Sequence, residues 1–200
     1  MVTAGLSIRG VNPRRNLPGH LSRKREESNF LCAFERAYQA TVTSVTPTAV
    51  VGRDLEVSGY GIADWIWIGW RQRPNSEDAT AYSLESLPPK LRLFAFELKI
   101  SRWRKAFRQA FRYSYFADRS IVVVPPHTAA IASKHIAGFR LHGIGLWSFD
   151  GRAGRIVRIY TPRTIKARSE KAKTRAIELI LRRAKLCKVR EFSKTVAKRL

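Results

Sequence analysis

Between Leu91 and Val124 the hydrophobic period of the chain changes twice within a few residues. "LRLFAFELKI" (91–100) is an apolar run of strand length. "SRWRKAFRQAFRYSYFAD" then sets Trp103, Ala106, Phe107, Ala110, Ser114 and Ala117 at helical spacing. "SIVVVP" returns to a β-rich run, stopped by Pro125 and Pro126. A strand, an amphipathic helix and a second strand in close succession read as a sheet flanked by helices.

The rest of the middle region fits that frame. "SNFLCAFERAYQAT" reads as a helix over 28–40, with Ser28 or Asn29 as N-cap and Phe30, Ala33, Phe34 and Ala37 on one stripe. "DLEVSGYGIADWIWIGW" reads as two strands, near 54–58 and 62–70, around a glycine-marked turn. Residues 71–90 are polar and proline-containing, a loop. "HTAAIASKHIAGF" is a short helix ending near Gly138, and two short strands follow around an Asp150–Gly151 turn. The order is helix, three strands, helix, strand, helix, two strands. The expected fold class is α/β, a mixed central sheet flanked by helices.

Charge divides the 200 residues further. The formal net charge is +23, of which residues 1–27 carry +4 and residues 162–200 carry +11. Residues 1–27 read as a flexible basic arm, 28–161 as the folded domain, and 162–200 as a basic helical extension. In that extension Ala176, Ile177, Ile180, Leu181 and Ala184 form a narrow apolar stripe. Such an excess of Lys and Arg attracts polyanions, and nucleic acid is the leading partner. No apolar run reaches the ~18–20 residues that span a bilayer, and the N-terminus lacks a secretory h-region. Cys32 and Cys187 have no metal spacing and fit a reducing, cytoplasmic setting. His20, His127, His135 and His142 lack the spacing of a zinc site, and Trp65 and Trp67 read as packing residues.

Two charged positions do not suit their strands. Glu97 and Lys99 are two apart, hence on one face of an otherwise apolar strand. Asp64 lies inside "GIADWIWIGW". A lone buried carboxylate is expensive. The anomalies explain one another if adjacent strands bring Asp64 and Glu97 together around a divalent cation. A lysine beside them can assist the attacking water and stabilise charge on a phosphoryl group. That constellation is metal-dependent phosphodiester hydrolysis.

Asp64 followed by Glu97-Leu98-Lys99 resembles the D…(D/E)xK motif of the PD-(D/E)XK nuclease superfamily. Gln109 and Tyr113, four apart on the next helix, resemble the QxxxY motif of its RecB-type branches. The resemblance covers roughly residues 28–160 and departs from the pattern in having Ala63, not Pro, before Asp64. It implies a restriction-endonuclease-like αβββαβ core. It also implies a Mg²⁺-dependent deoxyribonuclease, endonuclease in preference to exonuclease, with Mn²⁺ as a substitute metal and no small-molecule cofactor. Asp64, Glu97, Lys99, Gln109 and Tyr113 are the expected catalytic residues, and Asp64, Glu97 and the helix-borne Glu35 the metal ligands. Glu56 falls where several relatives carry a Glu. Arg102, Arg104, Lys105, Arg108 and Arg112, around the polar side of the Gln109 helix, are the expected DNA contacts. Cleavage of both strands would favour a homodimer. The competing expectations are a catalytically inactive nucleic-acid-binding protein on the same fold and a basic RNA-associated protein.

Overall fold

A computed structural model of the chain describes residues 7–8, 21–42, 48–70, 91–163 and 166–183. The elements are β1 (Ser7–Ile8), α1 (Leu21–Val42), β2 (Thr48–Val57), β3 (Gly61–Trp70), β4 (Arg92–Leu98), α2 (Trp103–Tyr113), β5 (Arg119–Val124), α3 (Pro126–Ser133), α4 (Ile136–His142), β6 (Ile144–Asp150), β7 (Arg155–Tyr160) and α5 (Glu170–Arg183). The seven strands form one mixed sheet in sequential order, β1 being a two-residue stub at its edge. β3 runs antiparallel to both neighbours, β4, β5 and β6 are parallel to one another, and β7 returns antiparallel. The α/β class read from the sequence is what the chain adopts. Among the described residues no helix is long and apolar enough to cross a membrane.

Strand alternation sends side chains to two separate cores. From β4, Leu93 and Ala95 join Ile66, Ile68, Val122 and Leu146 under α2, α3, α4 and α5. Phe94, Phe96 and Leu98 face the other way, joining Trp65, Trp67, Trp147 and Phe149 beneath Phe34 and Tyr38 of α1. The described residues therefore form a three-layer sandwich with one helix on one face and four on the other. Both faces of β4 and β5 are buried, as their continuous apolar runs require. The tryptophans are packing residues: Trp65 meets Phe34 edge-on at 5.8 Å and lies 4.8 Å from Phe96. Trp67 folds back over its own strand, where a Cβ at Gly69 would lie 2.0 Å from the ring, so that position needs glycine.

Several boundaries differ from the sequence reading. β2 begins at Thr48, six residues before the strand expected near 54–58. α1 begins at Leu21, seven residues before Ser28, so the end of the basic N-terminal region is helical. The single helix expected to end near Gly138 is two, α3 and α4; α4 passes through Gly138 and stops at Gly143, whose φ of 66° supplies the left-handed C-cap. The basic C-terminal helix docks on the domain, burying Ala172, Ala176, Ile177 and Ile180 in the α2-side core. Arg168 anchors its entry, its guanidinium 4.8 Å from the Phe111 ring and its N–H bonded to the Ser114 carbonyl. The side chains of Leu181 and Ala184, the loop 71–90 and Cys187 lie outside the described residues.

Candidate active site

The site forms where β3 and β4 part. Their pairing runs from Gly69–Arg92 to Trp65–Phe96 and stops there. One step further, Asp64 and Glu97 occupy facing positions. In place of a ladder bond, the Leu98 N–H donates to Asp64 Oδ2 at 2.9 Å. A short carboxylate thus closes the end of the strand pair and satisfies a backbone donor that the split would orphan. The β4–β5 pairing continues past this point, with the Lys99 N–H bonded to the Val123 carbonyl at 3.1 Å, which holds the "ELK" segment against the parallel part of the sheet.

Lys99 turns its ammonium into the split. It donates to Asp64 Oδ2 at 3.1 Å and to the Leu98 carbonyl at 2.9 Å, and it lies 2.8 Å from Glu97 Oε1. The last contact is an ion-pair distance without the alignment of a hydrogen bond, so Glu97 Oε1 is buried and unbonded. The exposure of the three side chains is graded: Glu97 is fully buried, Lys99 is 14% exposed and Asp64 25%. The anionic cluster is therefore reached from the Asp64 side.

α2 lies over the cluster because Trp103, Ala106, Ala110 and Tyr113 recur at spacings of three and four and bury one stripe on the sheet. Tyr113 ends that stripe. Its hydroxyl contacts the Ile62 carbonyl of β3 and Glu97 Oε2, the latter at 2.6 Å. One hydroxyl hydrogen serves only one of these acceptors. The arrangement is satisfied when Glu97 keeps its proton and donates to Tyr113, which in turn donates to Ile62. The electrostatics agree. Burial, reinforced by the Asp64 carboxylate, pushes the Glu97 carboxyl up to about 8 against the pull of Lys99 and Tyr113. Burial would lower the Lys99 ammonium, but Asp64 and Glu97 outweigh it and hold Lys99 charged. Burial and the adjacent Glu97 likewise raise Tyr113, which stays a phenol. The Gln109 amide also bears on the Tyr113 hydroxyl, while Gln109 Oε1 is buried without a hydrogen-bond partner.

Of the residues expected to act, Asp64, Glu97, Lys99 and Tyr113 converge, and Gln109 stands one helical turn before Tyr113. Glu35 does not join them. It sits on α1, on the opposite face of the sheet, and Arg53 of β2 holds its Oε2 through both Nε (2.8 Å) and Nη2. Among the described residues no third carboxylate, histidine or cysteine completes a metal cluster with Asp64 and Glu97. Nothing in the sequence singled out Arg53, whose strand has no regular charge pattern. Glu56 is exposed, as are Arg102, Arg104, Lys105, Arg108 and Arg112. Two of these arginines lie along protein surface: Arg104 is 4.6 Å from the Trp103 ring, and Arg112 covers Gly61 at the start of β3, 3.4 Å from where a Cβ would stand. Sequence reasoning also missed the backbone's share, the Leu98 N–H and carbonyl and the Ile62 carbonyl, which no residue type announces.

Comparison of the chain with protein-family models, with curated proteins and with solved structures returns no match.

The donor set suits a hard divalent cation. Two carboxyl groups and a backbone carbonyl face one small volume around the Lys99 ammonium, which is the partner that the fully buried Glu97 Oε1 has there. Oxygen donors of this kind select Mg²⁺, Mn²⁺ or Ca²⁺ over softer metals.

Proposed function

We propose that the chain is a metal-dependent nuclease acting on DNA. The observation that carries this reading is the convergence of Asp64, Glu97 and Lys99 at the split end of β3 and β4. Two carboxyl groups share a single ammonium there, and burial keeps Glu97 neutral only by making it hold a proton, a perturbation that marks a functional site more often than a structural clasp. The order α1-β2-β3-β4-α2-β5 supports it too, being the αβββαβ succession that the motif resemblance implies. The +23 charge supplies the attraction for a polyanion.

In this reading Asp64 and Glu97 hold Mg²⁺. A divalent cation there supplies charge neutralisation and Lewis-acid polarisation of the phosphodiester. Holding a metal as a carboxylate, Glu97 would accept the Tyr113 hydroxyl hydrogen on Oε2, which would fix its orientation. Lys99 presents an ammonium to the scissile phosphate and the attacking water. Gln109 braces Tyr113. The exposed Arg102, Arg104, Lys105, Arg108 and Arg112 contact backbone phosphates and set position, not base sequence.

The test is incubation with supercoiled, linear, single-stranded and branched DNA, with and without Mg²⁺. Cleavage is expected only with the metal, and Asp64→Asn or Glu97→Gln is expected to reduce it by roughly 10³-fold while leaving salt-sensitive DNA binding in place. Undiminished cleavage by either variant sinks the assignment. A second reading, a non-catalytic nucleic-acid binder on the same fold, draws on one observation: Lys99 already fills the oxygen nest. DNA binding without cleavage on any of the four substrates would favour it.

A further inference from the structure

The Lys99 ammonium occupies the volume that a metal ion would need. Its three neighbours, Asp64 Oδ2, Leu98 O and Glu97 Oε1, stand 3.1, 2.9 and 2.8 Å away. Those are ammonium spacings; Mg²⁺ requires about 2.0–2.1 Å and Ca²⁺ about 2.3–2.6 Å. A divalent cation on the same oxygens would also sit within about 3 Å of a like charge, which is strongly unfavourable in a buried site. The two occupants exclude one another. For Asp64 and Glu97 to become ligands, Lys99 has to leave.

Its destination decides how readily it leaves. Asp64 and Glu97 are the two acidic partners of Lys99 among the described residues. The helix above the site, "WRKAFRQAFRY", contains no Asp or Glu to receive a displaced ammonium, and its exposed side is basic. The site opens on the Asp64 side, which is the more exposed of the pair. An ammonium leaving that way meets water or, when a nucleic acid is bound, a phosphate. The phosphate is the better partner because it restores a charge-assisted hydrogen bond.

On the metal-dependent reading above, we propose that Lys99 is a built-in competitor that couples metal loading to phosphodiester binding. Without a nucleic acid, the ammonium closes the oxygen nest and weakens divalent-cation binding. With one, the phosphate takes the ammonium and frees Asp64 and Glu97. Reciprocity requires that the metal strengthen nucleic-acid binding by the same factor. The device confines metal loading to the substrate complex.

Two measurements on the full chain test this. In the first, calorimetry follows Mn²⁺ binding to the wild type and to Lys99→Met, which keeps the apolar stem but loses the charge. Each is titrated alone and with a hydrolysis-resistant phosphorothioate oligonucleotide. Lys99→Met alone is expected to bind Mn²⁺ about tenfold more tightly than the wild type, and the oligonucleotide to tighten binding by the wild type about tenfold more than by the variant. In the second, acetylation of wild-type Lys99 by an N-hydroxysuccinimide ester is read by mass spectrometry, which needs no folded variant. Lys99 is expected to react at least about fivefold faster at saturating Mn²⁺, and Asp64→Asn to abolish that increase. Mn²⁺ binding that depends on Asp64 but is equal or weaker in Lys99→Met, or Lys99 acetylation unchanged by bound Mn²⁺, overturns the coupling and leaves the nuclease reading standing. No Asp64-dependent Mn²⁺ binding to either protein, with or without the oligonucleotide, overturns both.

Discussion

The two ends of β4 solve the same backbone problem in the same way, and differ in one carboxylate. At the start of the strand, the buried Asp118 accepts the Leu93 N–H on Oδ2 at 2.8 Å and the Lys173 ammonium on Oδ1 at 2.8 Å. At the other end, Asp64 accepts the Leu98 N–H at 2.9 Å and the Lys99 ammonium at 3.1 Å. Each aspartate closes a strand end, and each has a lysine. The first pair is balanced, one carboxylate to one ammonium, and it ties α5 to the sheet. The second has Glu97 added, fully buried, with an oxygen left unbonded. An ionisable residue needed only for folding would not be placed where burial denies it its charge. The surplus, not the ion pair, distinguishes a candidate site from a structural clasp.

That surplus has a pH signature, the largest effect expected on stability. The Glu97 carboxyl is raised from its ordinary value of 4.5 to about 8 in the fold. The folded state therefore holds a proton that the unfolded state releases. Glu97's contribution to stability is complete below pH 4.5 and is lost as pH rises through 8. At about 1.4 kcal/mol for each pH unit, the loss amounts to about 5 kcal/mol across that window. Urea unfolding in a chelating buffer should show it, and Glu97→Gln, which stays neutral, should flatten the profile. A slope that persists in Glu97→Gln would assign the proton to another group and remove the distinction between the two ends.

Cutting each aspartate tests the comparison directly. Asp118→Ala leaves the Leu93 N–H unsatisfied and Lys173 without its partner, and is expected to cost about 3 kcal/mol, measured by the midpoint of urea unfolding. Asp64→Ala is expected to cost less than about 1.5 kcal/mol, because Glu97 is at hand to ionise and pair with Lys99. Equal costs at the two ends would mean that Glu97 is not a spare charge.

How much of this was legible beforehand depends on the kind of interaction. Period changes in the chain marked out the strands and α2, because a two-sided sheet and a one-sided helix impose different repeats on apolar residues. Asp64, Glu97 and Lys99 stood out because a charge within an apolar run has few bland explanations. Glu35 misled for the opposite reason. A glutamate on an amphipathic helix is common, and its true partner, Arg53, follows from the register of α1 on β2, which sequence spacing does not encode. Asp118 and Lys173 went unnoticed although they clasp the same strand. They are 55 residues apart, and Lys173 is one of 38 Lys and Arg residues with no local mark to separate it. The start of α1 was missed because its first seven residues lack the apolar stripe by which the helix was recognised.

On the proposed nuclease reading, the smallest effect concerns which end of β4 faces the nucleic acid. Arg104 and Arg108 are exposed on α2, the helix that carries Gln109 and Tyr113 at the site, whereas Lys171 and Arg175 are exposed on α5, the helix clasped at the Asp118 end. All four are cations on one strongly basic molecule, so bulk attraction treats them alike. Direct pairing with phosphates does not. Removing one cation that neutralises a phosphate lowers the slope of log K against log salt by about 0.9 on duplex DNA. Arg104→Gln with Arg108→Gln is therefore expected to reduce that slope by about 1.8, and Lys171→Gln with Arg175→Gln to leave it nearly unchanged. Fluorescence anisotropy with a labelled duplex over a range of NaCl concentrations measures both. Equal reductions from the two pairs would show that the charge acts as a diffuse cloud with no preferred face. A larger reduction from the α5 pair would place the nucleic acid at the Asp118 end, leaving the surplus carboxylate at Glu97 without a phosphodiester to act on.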